Sequence, residues 1–151
     1  TLGDATIRKL EITKGNQDLD IVMHDAFRKF YREIQSSFGL RFSKPIRESI
    51  IYINHHLSVG FKIGDVADHA RVSSGHLSKL FKKELSITFT DYVMLTKINE
   101  AKRLLKYSNN TISEISGILY FSSKSYFIAC FKKLVGLTPL EFLRQGETHL
   151  S

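Results

Sequence analysis

I-G-D-V-A-D-H-A-R-V-S-S (Ile63 to Ser74) and I-S-E-I-S-G-I-L-Y-F-S-S (Ile112 to Ser123) are two versions of one segment. The first runs on into H-L-S-K-L-F-K-K (His76 to Lys83), the second into Y-F-I-A-C-F-K-K (Tyr126 to Lys133). Ile63 pairs with Ile112, Val66 with Ile115 and Ser73 with Ser122, each 49 residues on; after one inserted residue, Phe81 pairs with Phe131 at 50. Each copy is followed by a capping signal, Thr88-x-x-Asp91 and Thr138-x-x-Glu141. Two short helices with a tight turn and an apolar interior are what a helix–turn–helix requires.

Working outward, the spacing predicts an all-α chain. Ser43-Lys44-Pro45 opens a helix to about Leu57, with Ser43 as N-cap and Ile46, Ile50, Ile53 and Leu57 inward. Helices follow over about 63–70 and 73–85, with Ser73 capping the second. A longer helix spans Thr88 to about Tyr107. Thr111-x-x-Glu114 caps the next. Ser122 starts another, ending near Gly136, and Thr138-Pro139 starts a last one to about Arg144. Upstream, Thr6 to Thr13 alternates loosely, as a short strand or ordered tail. Leu19, Val22, Met23, Ala26, Phe27, Phe30, Ile34 and Phe38 recur at helical spacing, which predicts an extra N-terminal helix over 17–38. Its aromatic face needs a partner: the basic domain, a second copy of the chain or a missing upstream domain. The expected division is 1–40, a tail and linker or dimerisation helix, and 41–151, a domain of two helix–turn–helix units. Unit one covers about 62–85, the linker helix about 88–107 and unit two about 111–135.

Charge locates the function. The 151 residues hold 22 basic and 15 acidic side chains, a net of +7. Residues 1–40 hold six of each sign, so the whole excess falls in the duplicated part. Such a surface suits an acidic polymer, above all nucleic acid. The competing reading is a helical interaction module whose basic face binds a protein or a membrane surface. No apolar run is long enough to span a bilayer, and no signal peptide is visible. The lone Cys130 fits a reducing, cytoplasmic setting. The chain lacks an initiator methionine, which suggests a piece of a longer protein. His55, His56 and His69 lack a metal-ligand spacing. No nucleophile elbow or glycine-rich phosphate loop appears, so neither catalysis nor a cofactor is expected.

The second helix of each copy presents the reading face. In copy one, Ser74, Gly75, His76, Ser78 and Lys79 are left outward as base-facing residues. In copy two the corresponding set is Lys124, Ser125 and Ile128, the last through a methyl contact. Ser73, Lys82, Lys83, Ser122, Ser123, Lys132 and Lys133 are assigned to phosphates. Lys79 is either a base reader or a phosphate contact, and His76 likewise. A linker of about 20 residues spans about 30 Å, close to the roughly 34 Å between successive major grooves. One chain is therefore expected to reach two adjacent grooves.

T-I-S-E-I-S, F-S-S-K-S-Y-F and F-K-K-x-x-G-L-T-P-x-E-F-x-R, within Thr111 to Arg144, resemble the signature of the AraC/XylS family of bacterial transcription regulators. L-S-K-L-F-K-K-E (Leu77 to Glu84) and F-T-D-Y (Phe89 to Tyr92) resemble its other half. The resemblance covers about 43–145. It implies a seven-helix domain, promoter DNA as partner and, usually, activation through RNA polymerase. Three departures stand out. Tyr120 occupies a position usually held by glycine. Ser86 stands where copy two has Gly136, so the first turn is expected to differ in conformation. Ile128-Ala129 replaces a polar residue and an arginine, so copy one is expected to carry more of the base specificity.

Overall fold

The computed structural model describes Lys29, which is helical, and residues 42–148. The expected helix over 17–38 and the alternating stretch 6–13 lie outside the described residues, Lys29 apart. Among the described residues there are seven helices and no strand. They are α1 (Lys44–His55), α2 (Ile63–Ala70), α3 (Ser74–Leu80, continued by a π-helical turn Phe81–Leu85), α4 (Phe89–Tyr107), α5 (Ile112–Ile118), α6 (Lys124–Val135) and α7 (Pro139–Thr148). The helices expected from Ser43 onward are all present. The last runs four residues beyond Arg144.

Two apolar cores form, one around each copy. Ile46, Ile50 and Ile53 of α1, Val66 and Ala67 of α2, Leu77 of α3, Phe81 and Leu85 of its π turn and Tyr92 of α4 close the first. Ile98, Ala101 and Leu105 of α4 close the second with Ile115 and Leu119 and with Phe127, Phe131, Leu134 and Val135 of α6. The central helix thus serves both units, its first half in one core and its second half in the other. Its role in unit two matches that of α1 in unit one. Ile98, Ala101 and Leu105 are all buried, as are Ile46, Ser49 and Ile53, and each pair is 52 residues apart. Aromatic packing repeats too: Phe81 meets Tyr92 at 5.6 Å between centroids, and Phe131 meets Phe142 at 5.6 Å. Leu57 and Leu95 pack against both cores and join them.

The turns reveal where the inserted residue sits. In copy one, Val72 N–H donates to Ala67 O at 3.0 Å; in copy two, Phe121 N–H donates to Ser116 O at 3.0 Å. Those pairs keep the spacing of 49. The caps do not: Ser73 Oγ accepts from His76 N at 3.1 Å, whereas Ser123 Oγ accepts from Tyr126 N at 3.0 Å. Ser123, not Ser122, therefore caps α6, and the extra residue lengthens the turn just before it. From the caps onward the offset is 50. His76 is then the counterpart of Tyr126, Ser78 of Ile128 and Lys79 of Ala129.

One expected difference between the copies is absent. Ser86 has φ 64° and Gly136 φ 86°, so both stand in the left-handed region. Each donates its N–H four residues back, to Lys82 O at 3.1 Å and Lys132 O at 2.8 Å. This bond closes the helix end and decides the backbone conformation in both copies. Serine accepts a conformation that glycine takes more readily. Ser43 stands at the N-cap position of α1, but its side chain makes no cap bond. Its hydroxyl donates to Glu84 Oε2 at 2.6 Å and its N–H to Glu84 Oε1 at 2.7 Å. A carboxylate from the end of α3 thus binds at the start of α1, where the helix dipole favours negative charge.

Candidate nucleic-acid interface

α3 and α6 each bury one stripe and leave the other in solvent. In α3, Leu77 and the following Phe81 are fully buried. Ser74, Gly75, His76, Ser78 and Lys79 are exposed, as are Lys82 and Lys83 beyond them. In α6, Phe127 and Phe131 are fully buried, while Lys124, Ser125, Ala129, Lys132 and Lys133 are exposed. Ser73, Ser122 and Ser123 are exposed in the turns. Every expected contact residue is thus on the outer face except Ile128. That side chain is half-buried and packs against the second core. Its methyl groups, expected outside, are thus partly drawn into the core.

The cap serines have a prior engagement. Ser73 Oγ and Ser123 Oγ each accept a helix N–H, which anchors the first turn of the recognition helix. Each hydroxyl retains its own proton for donation. Gly75 has open space around it: a Cβ there meets nothing within 4 Å.

Tyr126 belongs to this face although the sequence reading passed over it. It is 48% exposed in the first turn of α6, at the place His76 occupies in α3. The offset of 50 was the signal that pairs it with His76. A hydrogen bond with the Cys130 side chain, then that group's charge and partial burial, raises the Tyr126 hydroxyl above its ordinary pKa.

Lys97 reaches toward unit two from the central helix. Its ammonium lies 5.4 Å from the centroid of Phe121, in the turn before α6. Burial lowers its pKa. Lys102 lies 5.8 Å from the ring of Phe142 in the same way. These two lysines pack within unit two, whereas Lys79, Lys82, Lys83, Lys124, Lys132 and Lys133 stand free of the cores.

Among the described residues, no group of three His, Cys, Asp or Glu side chains could hold a metal ion. No described helix is long and apolar enough to cross a membrane.

The arrangement is two copies of a short framework, each presenting a polar and basic helix, joined by a shared central helix. A family described as a helix-turn-helix domain matches residues 66–145. The arabinose operon regulatory protein of Escherichia coli (strain K12) is 35% identical over 98 residues, 64% of this chain and 34% of that protein. The chain belongs to the AraC/XylS family. The xylose operon regulatory protein of Haemophilus influenzae is 36% identical over 95 residues, 63% of this chain and 24% of the relative. Among solved structures, the C-terminal domain of AraT, a response regulator from Geobacillus stearothermophilus, superposes with a TM-score of 0.65 at 30% identity. That match covers 70% of this chain and 88% of the AraT domain. The described residues are thus an AraC-type DNA-binding domain. The chain spans about a third or less of the two curated relatives.

Proposed function

We propose that this chain is the DNA-reading part of a sequence-specific transcription regulator, and that it inserts α3 and α6 into adjacent major grooves of promoter DNA. The observation that carries the reading is the pair of exposed, polar and basic helix faces on matching frameworks, held apart by α4. With 19 residues, α4 spans about 28 Å, near the rise of one turn of duplex. In copy one, Gly75, His76, Ser78 and Lys79 face the bases, with Ser74 at the helix start. In copy two, Lys124 and Ser125 do so, joined by Tyr126. The half-buried Ile128 offers a smaller methyl contact. Ser73, Ser122, Ser123, Lys82, Lys83, Lys132 and Lys133 hold phosphates, which fixes register without reading sequence.

The domain division follows the same reading, with 41–151 as the DNA-binding part and 1–40 as a linker that dimerises through 17–38. Activation through RNA polymerase, a cytoplasmic location and the lack of catalytic activity belong to this proposal as well. They rest on the family and on relatives named as operon regulatory proteins.

Selection of bound duplexes from a random pool, followed by fluorescence anisotropy over a salt series, tests the reading. A selected site bound far more tightly than random DNA at moderate salt is the expected result. Equal, weak binding to both overturns it and favours a module whose basic face binds protein or membrane.

A further inference from the structure

Tyr120 is held in a conformation that its residue type resists. Its φ is 61°, in the left-handed region, where a bulky side chain is an outlier. Its counterpart Arg71 has φ 60°, so the turn itself demands this backbone. Nothing local explains a tyrosine there, since glycine would meet the same demand without strain. The explanation lies across the molecule. The Tyr120 ring rests on Gly60, in the loop that joins α1 to α2 of the other unit. A Cβ on Gly60 would lie 2.5 Å from Tyr120 Cε1, 2.7 Å from Cζ and 3.0 Å from the hydroxyl oxygen. The ring is 62% exposed on its other side, so a Cβ at residue 60 would push it off this seat rather than disturb the backbone. Three residues earlier in the same loop, Leu57 packs against both cores.

We propose that Tyr120 and Gly60 form a strap between the two units that fixes the separation and angle of the recognition helices, and so the half-site spacing the chain accepts. The physical case is one of leverage. The central helix links the units along one axis, where small bends or twists are cheap, and Leu57 packs across the seam beside it. A second contact, off that axis and between a turn of one unit and a loop of the other, resists both motions. The contact joins Tyr120, three residues before the α6 cap Ser123, to the loop two residues ahead of the α2 cap Lys62. It therefore restrains the framework that carries each reading helix. Tyr120 touches no base in this account; it is a positioning residue.

The inference rests on the proposed two-groove reading for its effect on DNA, so one arm of the test needs no DNA. Spin labels are placed at the exposed positions Asp68 and Ser113, as cysteines, in a Cys130→Ala background. The parent and Tyr120→Phe, which keeps the ring, are expected to give one narrow distance distribution. Tyr120→Gly removes the ring and relieves the backbone; Gly60→Ala displaces the ring. Both are expected to broaden or shift the distribution while the fold stays intact by circular dichroism. In the second arm, one and two base pairs are inserted between the half-elements of a selected site. The parent and Tyr120→Phe lose about tenfold in affinity per inserted pair, the size of a mismatch penalty; the two strap variants lose markedly less. Unchanged label distances in Tyr120→Gly and Gly60→Ala overturn the strap. Broadened distances with unchanged spacing discrimination overturn its role in recognition. A parent that binds selected and random DNA alike defeats the two-groove reading, and the label distances then still decide the strap.

Discussion

Three described non-glycine residues have positive φ, and each closes a turn: Arg71, Ser86 and Tyr120. A left-handed conformation costs an L-residue about 1–2 kcal/mol, and part of that is recovered on substitution to glycine, whose unfolded chain is freer. Arg71 is exposed and caps α2, with its N–H bonded to Asp68 O at 3.2 Å. Arg71→Gly is therefore expected to raise stability by about 0.5–1 kcal/mol in urea titration; a loss would show that its side chain contributes more than its backbone costs. Glu84 sets the opposite expectation. It accepts both the N–H and the hydroxyl of Ser43, bonds strengthened by its charge. Glu84→Gln is expected to cost about 1–2 kcal/mol by the same titration. Neither the left-handed turn at Ser86 nor the Glu84 contact was legible beforehand. Ser86 lacks the glycine that marks such a turn, and the Ser43–Glu84 pair is 41 residues apart. Backbone bonding fixed the first and tertiary packing made the second.

At the scale of elements, the helices were legible because each carries a cap and an apolar stripe. Thr88 Oγ1 accepts from Asp91 N at 3.0 Å, Thr111 Oγ1 from Glu114 N at 3.1 Å and Thr138 Oγ1 from Glu141 N at 3.2 Å. All three were visible as a threonine with an acid three residues on. The start of α6 was not, because Ser122 and Ser123 are adjacent and either satisfies the pattern. The reading faces differ more than the frameworks. Lys79 of α3 corresponds to Ala129 of α6, and the first helix ends in a π turn where the second continues as α. Lys79→Ala is thus expected to weaken binding to a selected site by about 1–3 kcal/mol and to relax specificity at one position. Ala129→Ser is expected to change it little. Lys132→Ala, which removes a phosphate contact, is expected to weaken all duplexes alike. It should reduce the slope of log affinity against log salt by about 0.9. A base-specific effect from Lys132→Ala, or none from Lys79→Ala, would reverse the assignment.

For the whole molecule, the duplication runs further than the segment that betrays it. Ile46, Ser49 and Ile53 have buried counterparts in Ile98, Ala101 and Leu105, and Tyr92 has a partly buried one in Phe142. The sequence hides this because α4 begins as the last helix of unit one and ends as the first of unit two. Two overlapping patterns on one helix read as a single broad apolar face. Sharing α4, with Leu57 and Leu95 packed on both cores, couples the units. Calorimetry is expected to show one unfolding transition for residues 42–148. Leu95→Ala, which trims a side chain common to both cores, is expected to destabilise by about 2 kcal/mol or more and to increase hydrogen exchange in both α2 and α5. Faster exchange in one unit alone would mean that the cores are independent. On the proposed function, one chain reads two adjacent grooves. The most direct test is the length and layout of the sites selected from random duplexes by this chain, with the stoichiometry of the complex. The expected result is two half-elements centred about one helical turn apart, about 10–10.5 base pairs, bound by a single chain. A single short element, or a paired site that requires two chains, would contradict it.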